Sequence, residues 1–400
     1  MNREDFPILS KNRKLIYLDN GATTLKPKSV IDSVVEYYSS YTANAHRGDY
    51  DNSIEVDQKY EGVRTKVKTF INANADNEII FTKGTTDSLN MIVFGYMKYY
   101  LSEGDEVLIT KSEHASNILP WMELASDIGI RIKFIALDNN YCINKENLEK
   151  AITEKTKVIS IAHITNVIGD VRDIKMIGEV CKEKNILFVV DAAQSIGHIK
   201  VDVCENNIDF LAFSAHKMFG PTGVGVLYGR YELLDKLIPI SYGGGMNSFF
   251  ESTGEVEYKK LPERLEAGTP NIAGVIGMGA SIDYINKIGI DNIHKYELEL
   301  KKYAIKKLND VEGLTLYNEH SNSGILVFNI EKIFSQDLAV YLNHYKICVR
   351  SGNHCAKILK DEIKASNTCR ASLSIYNTKE EIDKLVEVLK KRENIYEIIL

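Results

Sequence analysis

Through the first two thirds of the chain, short runs that are apolar on both alternations interrupt longer stretches with helical spacing. The runs predict strands over 78–82, 106–110, 131–137, 158–164, 186–191 and 210–214, most of them covered on both faces. Between them, apolar residues recur at helical intervals over 86–99, 118–128, 147–153 and 174–184. This alternation predicts an α/β domain with a largely parallel sheet. The pattern changes over 272–303, where a glycine-rich apolar helix runs into a charged helical stretch, a connecting helix pair. Beyond it come expected strands over 314–317, 324–330, 347–350 and 372–376, a helix over 336–344 and a last helix from Lys379. That α+β order predicts a second, smaller domain, with a ligand cleft between the two.

Composition narrows the class. With 400 residues, of which 44% are hydrophobic and 26% charged, the chain is neither disordered nor fibrous. At roughly 150 residues per domain the length predicts two or three domains. A formal charge of -6 gives nucleic acid or an anionic membrane no broad reason to bind. No apolar run is long enough to cross a bilayer, and the first residues carry no export signal. Six cysteines are scattered without a C-x-x-C pair, so neither a disulfide framework nor a zinc site is signalled. A reduced, cytoplasmic small-molecule enzyme without a metal is the expectation, and at least one thiol is free to react.

Three segments carry chemistry. In the first, Phe210 to Tyr228, an apolar strand ends in Ser214, His216 and Lys217 before a glycine-rich turn. A lysine held on a tight turn after a buried strand loses solvation, which favours the neutral amine that carbonyl chemistry needs. Taken alone, the segment fits a solvated surface turn equally well. In the second, Phe81 to Ser88, a strand meets a helix at Gly84, and the amides there with the Thr85 and Thr86 hydroxyls form a phosphate cradle or a simple helix cap. In the third, an apolar strand ends in Asp191, followed by Gln194; a carboxylate so placed needs a partner, and a protonated ring nitrogen is one. Phosphate cradle, carboxylate and lysine match the three handles of pyridoxal 5'-phosphate.

These segments, with Tyr17 to Thr24 at one end and Cys369 to Thr378 at the other, resemble the class V aminotransferase-like enzymes of PLP-dependent transferase fold type I, and among them the type II, SufS-type cysteine desulfurases. The resemblance implies a large domain over 20–285 with a mainly parallel seven-stranded sheet flanked by helices. It implies a smaller α+β domain built from 1–19 and 286–400 that carries the catalytic cysteine loop. By the same resemblance, Lys217 joins the cofactor aldehyde, Asp191 pairs with the pyridine nitrogen, Gln194 meets the ring oxygen and His114 stacks on the ring. Thr86, Ser214 and His216 hold the phosphate with backbone help near Thr85, and Thr269 reaches the phosphate of a partner subunit in a homodimer. Cys355, in the segment Arg350 to Ala356, is the implied nucleophile that takes sulfur from L-cysteine and leaves L-alanine. Arg370, Asn166, His46 and Arg350 match substrate-side positions. A SufE-like or SufU-like sulfur acceptor and a role in iron–sulfur cluster assembly are implied as well.

The chain departs from the family pattern at three places: Asn353 precedes His354 where a histidine is usual, Lys357 to Lys360 replace a proline-containing stretch after Cys355, and Tyr50 stands for a histidine. Selenocysteine lyase and cysteine sulfinate desulfinase are the nearest alternatives, since the same cofactor chemistry releases selenium or sulfur dioxide. A non-catalytic sulfur-transfer scaffold is the alternative from another class.

Overall fold

The computed structural model describes residues 3–46, 48–392 and 395–399. The strands, in chain order, are β1 (Ile16–Tyr17), β2 (Ile79–Thr82), β3 (Glu106–Ile109), β4 (Arg131–Phe134), β5 (Thr156–Ala162), β6 (Leu187–Asp191), β7 (Phe210–Ser214) and β8 (Gly225–Gly229). Then follow β9 (Asn247–Phe250), β10 (Val256–Tyr258), β11 (Leu314–Leu316), β12 (Ile325–Ile330), β13 (Ile347–Cys348), β14 (Arg350–Gly352) and β15 (Thr368–Ser372).

Seven of them form one sheet in the order β2-β8-β7-β6-β5-β3-β4. Strands β7, β6, β5, β3 and β4 run parallel, while β8 is antiparallel to both of its neighbours. Most of the apolar runs read from the sequence are central strands buried on both faces, whereas the run over 131–137 gives β4, an edge strand exposed at both ends. Each helix begins where local chemistry allows it. Asp173 accepts the Met176 amide to open Ile174–Glu183, and Gly129, in the left-handed region at φ 77°, ends Leu119–Ile128.

The expected helix over 86–99 is longer and less regular: residues 85–100 are continuously helical, with a π-helical centre at Met91–Met97. Of the expected helix pair, Ile272–Ile288 packs on Lys28–Ser40 and Asp51–Ile71. A Cβ on Gly279 would stand 2.5 Å from Val63, so that helix is glycine-rich because it lies close to its neighbour. Its successor, Ile290–Leu308, contributes Leu300, Ala304 and Leu308 to a separate core under the four-stranded sheet β11-β12-β15-β14. That core also holds Ile16 and Leu18, and β1 pairs with β13. Phe6 and Leu9, in contrast, pack into the core of the large sheet, with Phe6 against Phe219 and Tyr284.

Two expected strands move. The one over 372–376 ends at Ser372, because Ser374 and Asn377 close a turn in which the Ser374 amide donates to Asn377 Oδ1 at 2.8 Å. Ile375 and Tyr376 are buried on that turn, so their apolar character reports core packing and no strand. The one over 347–350 splits into β13 and β14, which serve different sheets. The helices Lys28–Ser40 and Asp51–Ile71 and the hairpin β9–β10 were not anticipated from the pattern. No described helix is long and apolar enough to cross a membrane.

Candidate active site

Parallel strands deliver their last residues to one sheet edge, and the site is built there. Strand β7 ends in Ser214, and the turn Ala215–Lys217 follows at once. Strand β6 ends in Asp191. Across the cleft, β14 and β15 of the small sheet bring Arg350 and Arg370, and the loop after β14 brings Cys355. Of the residues singled out from sequence, all except His46 and Thr269 line one cavity of about 250 Å³.

On the floor, the Ser214 hydroxyl accepts the Thr85 amide at 2.7 Å and meets the Thr85 hydroxyl at 2.7 Å. Thr86 Oγ1 lies 2.7 Å from Ser116 Oγ. The two turns come so close that a Cβ on Gly225 would stand 2.5 Å from Gly84 Cα. The helix that starts at Thr85 thus points its free amides, and the positive end of its dipole, at a cluster of hydroxyls. His216 Nδ1 is buried there without a partner. Burial lowers the His216 pKa to about 4, helped by Lys217 and Lys26, so the ring is neutral.

Asp191 is buried, and Oδ1 accepts the Ala193 amide at 2.9 Å. Desolvation raises its pKa to about 6, a carboxylate short of positive partners. Lys217 opens on the same cavity; desolvation lowers its pKa to about 8 against the opposing pull of Asp191. The His114 ring accepts the Ser116 amide at Nδ1 and so carries its proton on Nε2 when neutral. Burial, with the charges of Lys217, Arg370 and Arg350, brings His114 down to about 4. Gln194 Nε2 donates to the Gly21 carbonyl at 2.8 Å.

On the opposite wall, Arg370 is 2% exposed; Nη1 donates to the Asn166 carbonyl at 2.7 Å and Nη2 lies 3.4 Å from Asp19. Its Nε has no partner. Asn166 Nδ2 donates to the His354 carbonyl at 2.6 Å, leaving Oδ1 unpartnered. Both His354 and Cys355 lie in the left-handed region, at φ 53° and 58°, a conformation that costs non-glycine residues roughly 1 kcal/mol or more each. Besides the Asn166 bond to the His354 carbonyl, three contacts hold the loop in it: Ala115 donates to the Cys355 carbonyl at 2.7 Å, Asn353 Oδ1 accepts the Cys355 amide at 3.1 Å, and His354 Nε2 meets Thr368 Oγ1 at 2.9 Å. The Cys355 residue itself is exposed. Burial pushes the other thiols up, Cys142 and Cys369 to about 12 and Cys181, Cys348 and Cys204 in the same direction.

A profile of the family described as aminotransferase class-V matches residues 16–385. The chain belongs to that family, among its cysteine desulfurases. A Halalkalibacterium halodurans protein named "Probable cysteine desulfurase" is 43% identical over 98% of this chain and 97% of its own. The solved apo structure of a cysteine desulfurase from Thermococcus onnurineus superposes with a TM-score of 0.93 at 38% identity, covering 97% of this chain and 96% of that one. A cysteine desulfurase from Escherichia coli, solved in an S-sulfonic acid form, gives 0.92 at 33% identity over 100% and 98% of the two chains.

Within this desulfurase fold, two residues expected at the site stand apart from the cavity. His46 occupies a left-handed position at φ 58°, its amide donating to Asp57 at 2.6 Å and Nε2 lying 3.3 Å from Glu61. These two carboxylates hold its backbone and its ring outside the cavity. Glu61 also binds the buried Arg64, which pairs with Glu266 at 2.8 Å. Three residues beyond Glu266, Thr269 lines an outer cavity beside Phe81 and Lys83. Sequence reasoning missed Asp19, Gly21, Ser116 and His354. The Tyr17 to Thr24 motif carried the first two without suggesting what they touch.

Proposed function

We propose that this protein is a pyridoxal 5'-phosphate-dependent cysteine desulfurase that converts L-cysteine to L-alanine and receives the sulfur on Cys355. The reading is carried by one observation: Lys217, Asp191 and Cys355, from three distant parts of the chain, open on the same cavity. The residues present fit the cofactor. The unpartnered His216 Nδ1 and the hydroxyls of Ser214, Thr85 and Thr86 suit a phosphate, and the buried Asp191 suits a cationic ring nitrogen. His114 would cover the ring and Gln194 would meet its oxygen. When bound, the cofactor supplies an electron sink for the substrate α-carbon.

The chain's own groups do the rest. Arg370, with Nε free and Arg350 nearby, takes the substrate carboxylate, and Asn166 fixes its orientation. Lys217, brought to a pKa of about 8, is suited to accept and return a proton near neutral pH. The Cys355 thiolate attacks the substrate sulfur. An S–S bond forms, the substrate C–S bond breaks, and its electron pair stays with the carbon that is protonated to give alanine. An acceptor thiolate, on a SufE-like or SufU-like partner in the cytoplasm, then attacks the outer sulfur, forming a new S–S bond and returning the Cys355 thiolate, for iron–sulfur cluster assembly. Selenocysteine and cysteine sulfinate remain alternative substrates of the same arrangement, and a purely scaffolding role is disfavoured by the complete chemical set.

The site is completed in a homodimer. Thr269 and His46 lie away from the cavity of their own chain, and the β9–β10 hairpin presents Phe250, 71% exposed, together with Phe249, Val256 and Tyr258. Mass spectrometry after a brief reaction with L-cysteine tests the function: one additional sulfur is expected on the peptide containing Cys355. Its absence there, with alanine still released, would sink the assignment.

A further inference from the structure

Lys26 is partly buried, and no carboxylate among the described residues pairs with it. Its ammonium has three protons and finds three acceptors: the His216 carbonyl at 3.0 Å, the Thr24 carbonyl at 2.5 Å and Thr23 Oγ1 at 3.2 Å. Removing a cation from water onto neutral dipoles alone is costly, and here burial lowers the pKa to about 8. What the cation touches is the peptide that joins His216 to Lys217.

That peptide is gripped from several sides. The same His216 carbonyl accepts the Thr24 amide at 3.0 Å, the Thr23 hydroxyl at 3.0 Å and the Thr24 hydroxyl at 3.1 Å. Thr24 Oγ1 in turn accepts the Phe219 amide at 2.8 Å, beyond the turn, where Phe219 takes the left-handed φ of 67°. Residues 23–26 therefore wrap the turn Ala215–Lys217 from outside the cavity. The other end of this strap reaches the opposite wall: the Gly21 amide donates to Ser372 Oγ at 2.7 Å, and Asp19 lies 3.4 Å from Arg370.

We propose that Lys26 is a positioning residue: its ammonium clamps the His216 carbonyl and so fixes the peptide plane from which Lys217 reaches the cofactor aldehyde. The inference rests on the reading of Lys217 as the cofactor lysine. In the step concerned, the Lys217 nitrogen bonds to the aldehyde carbon and the carbonyl oxygen leaves as water. Lys26 takes no part in that exchange of atoms; it lowers the cost of orienting Lys217 for it.

The test loads full-length apoprotein with pyridoxal 5'-phosphate and, separately, with pyridoxine 5'-phosphate, which has the same ring and phosphate but no aldehyde. For Lys26→Met, covalent capture on Lys217, trapped with borohydride and read by mass spectrometry, should slow about tenfold, while pyridoxine 5'-phosphate affinity changes less than about twofold. Lys26→Arg, which keeps the charge and the donors, should recover most of the rate. Equal weakening toward both ligands, or a parent rate in Lys26→Met, would overturn the proposal. Should Lys26→Met not fold, Thr23→Val removes one donor to the same carbonyl and one acceptor of Lys26, and the same selective slowing is required of it. The underlying reading fails separately, and only if Lys217→Ala still captures the cofactor covalently.

Discussion

The two side chains proposed as nucleophiles are held in opposite ways. Lys217 follows a central strand at the inner edge of the large sheet, with its turn clamped by the 23–26 strap and its amine desolvated. Cys355 stands on an exposed loop of the smaller sheet, in a left-handed conformation that few contacts maintain. A lysine that must meet the same cofactor atom in the same orientation at every turnover is served by rigidity. A thiol that takes sulfur from a substrate inside the cleft and surrenders it outside needs access, which the exposed loop provides. Burial raises the other five thiols, which disfavours the thiolate at each of them.

The contrast breaks most sharply at the two residues themselves. Lys217→Ala and Cys355→Ser should each lower sulfur release from L-cysteine by at least about 10³-fold. Only Lys217→Ala should also lose the visible absorption of a lysine-bound cofactor. A Cys355→Ser protein that releases sulfide at the parent rate would remove the thiol from the mechanism. Next in size is Arg370→Lys, which keeps a charge and gives up the planar fork. Steady-state kinetics should show KM for L-cysteine raised about 100-fold, equivalent to roughly 2–3 kcal/mol of charge-assisted hydrogen bonding, with a smaller change in kcat.

The rigid half was the more legible in sequence. Doubly apolar runs announced the central strands, and the residues closing β6 and β7, Asp191 and Ser214, stood out because polar groups ended apolar runs. The half that carries the thiol was not. The small sheet joins β12, β14 and β15, pieces separated by loops, and the expected strand over 372–376 proved to be a buried turn, since apolar residues on a turn look like a strand when no partner is known. The paired left-handed residues at 354–355 left no signal, because neither is glycine. His46 and Thr269 were singled out by family likeness alone; their surroundings in this chain are Glu61, Asp57 and an outer cavity, which no periodicity reports.

The desolvation of Lys217 makes a pH prediction with a definite sign. An ordinary lysine is neutral only above about 10.4. Lys217, lowered to about 8 by burial, is charged below that value and neutral above it. Its labelling in apoprotein by a small amine-directed reagent, followed by peptide mass spectrometry, should rise with a midpoint near pH 8, while exposed lysines rise two units later or more. Because its folded pKa lies below the unfolded one, this group also adds stability as pH climbs from about 8 toward 10. A midpoint above 10 would mean that the turn leaves the amine in water and that the rigid half is less enclosed than its geometry indicates.

The smallest effect probes the looser half. Asn353 is the departure from the family pattern nearest the thiol, and its Oδ1 accepts the Cys355 amide at 3.1 Å. This bond favours the left-handed backbone that the residue would otherwise resist. Asn353→Ala removes the acceptor and nothing from the cofactor floor. Sulfur transfer to Cys355 in a single turnover should slow about fivefold, the equivalent of roughly 1 kcal/mol, with cofactor uptake unchanged. Asn353→Asp, which keeps the acceptor, should lose less. If both variants transfer sulfur at the parent rate, the Ala115, Asn166 and His354 contacts suffice to hold the loop, and the division into a clamped amine and a lightly held thiol must be redrawn around them.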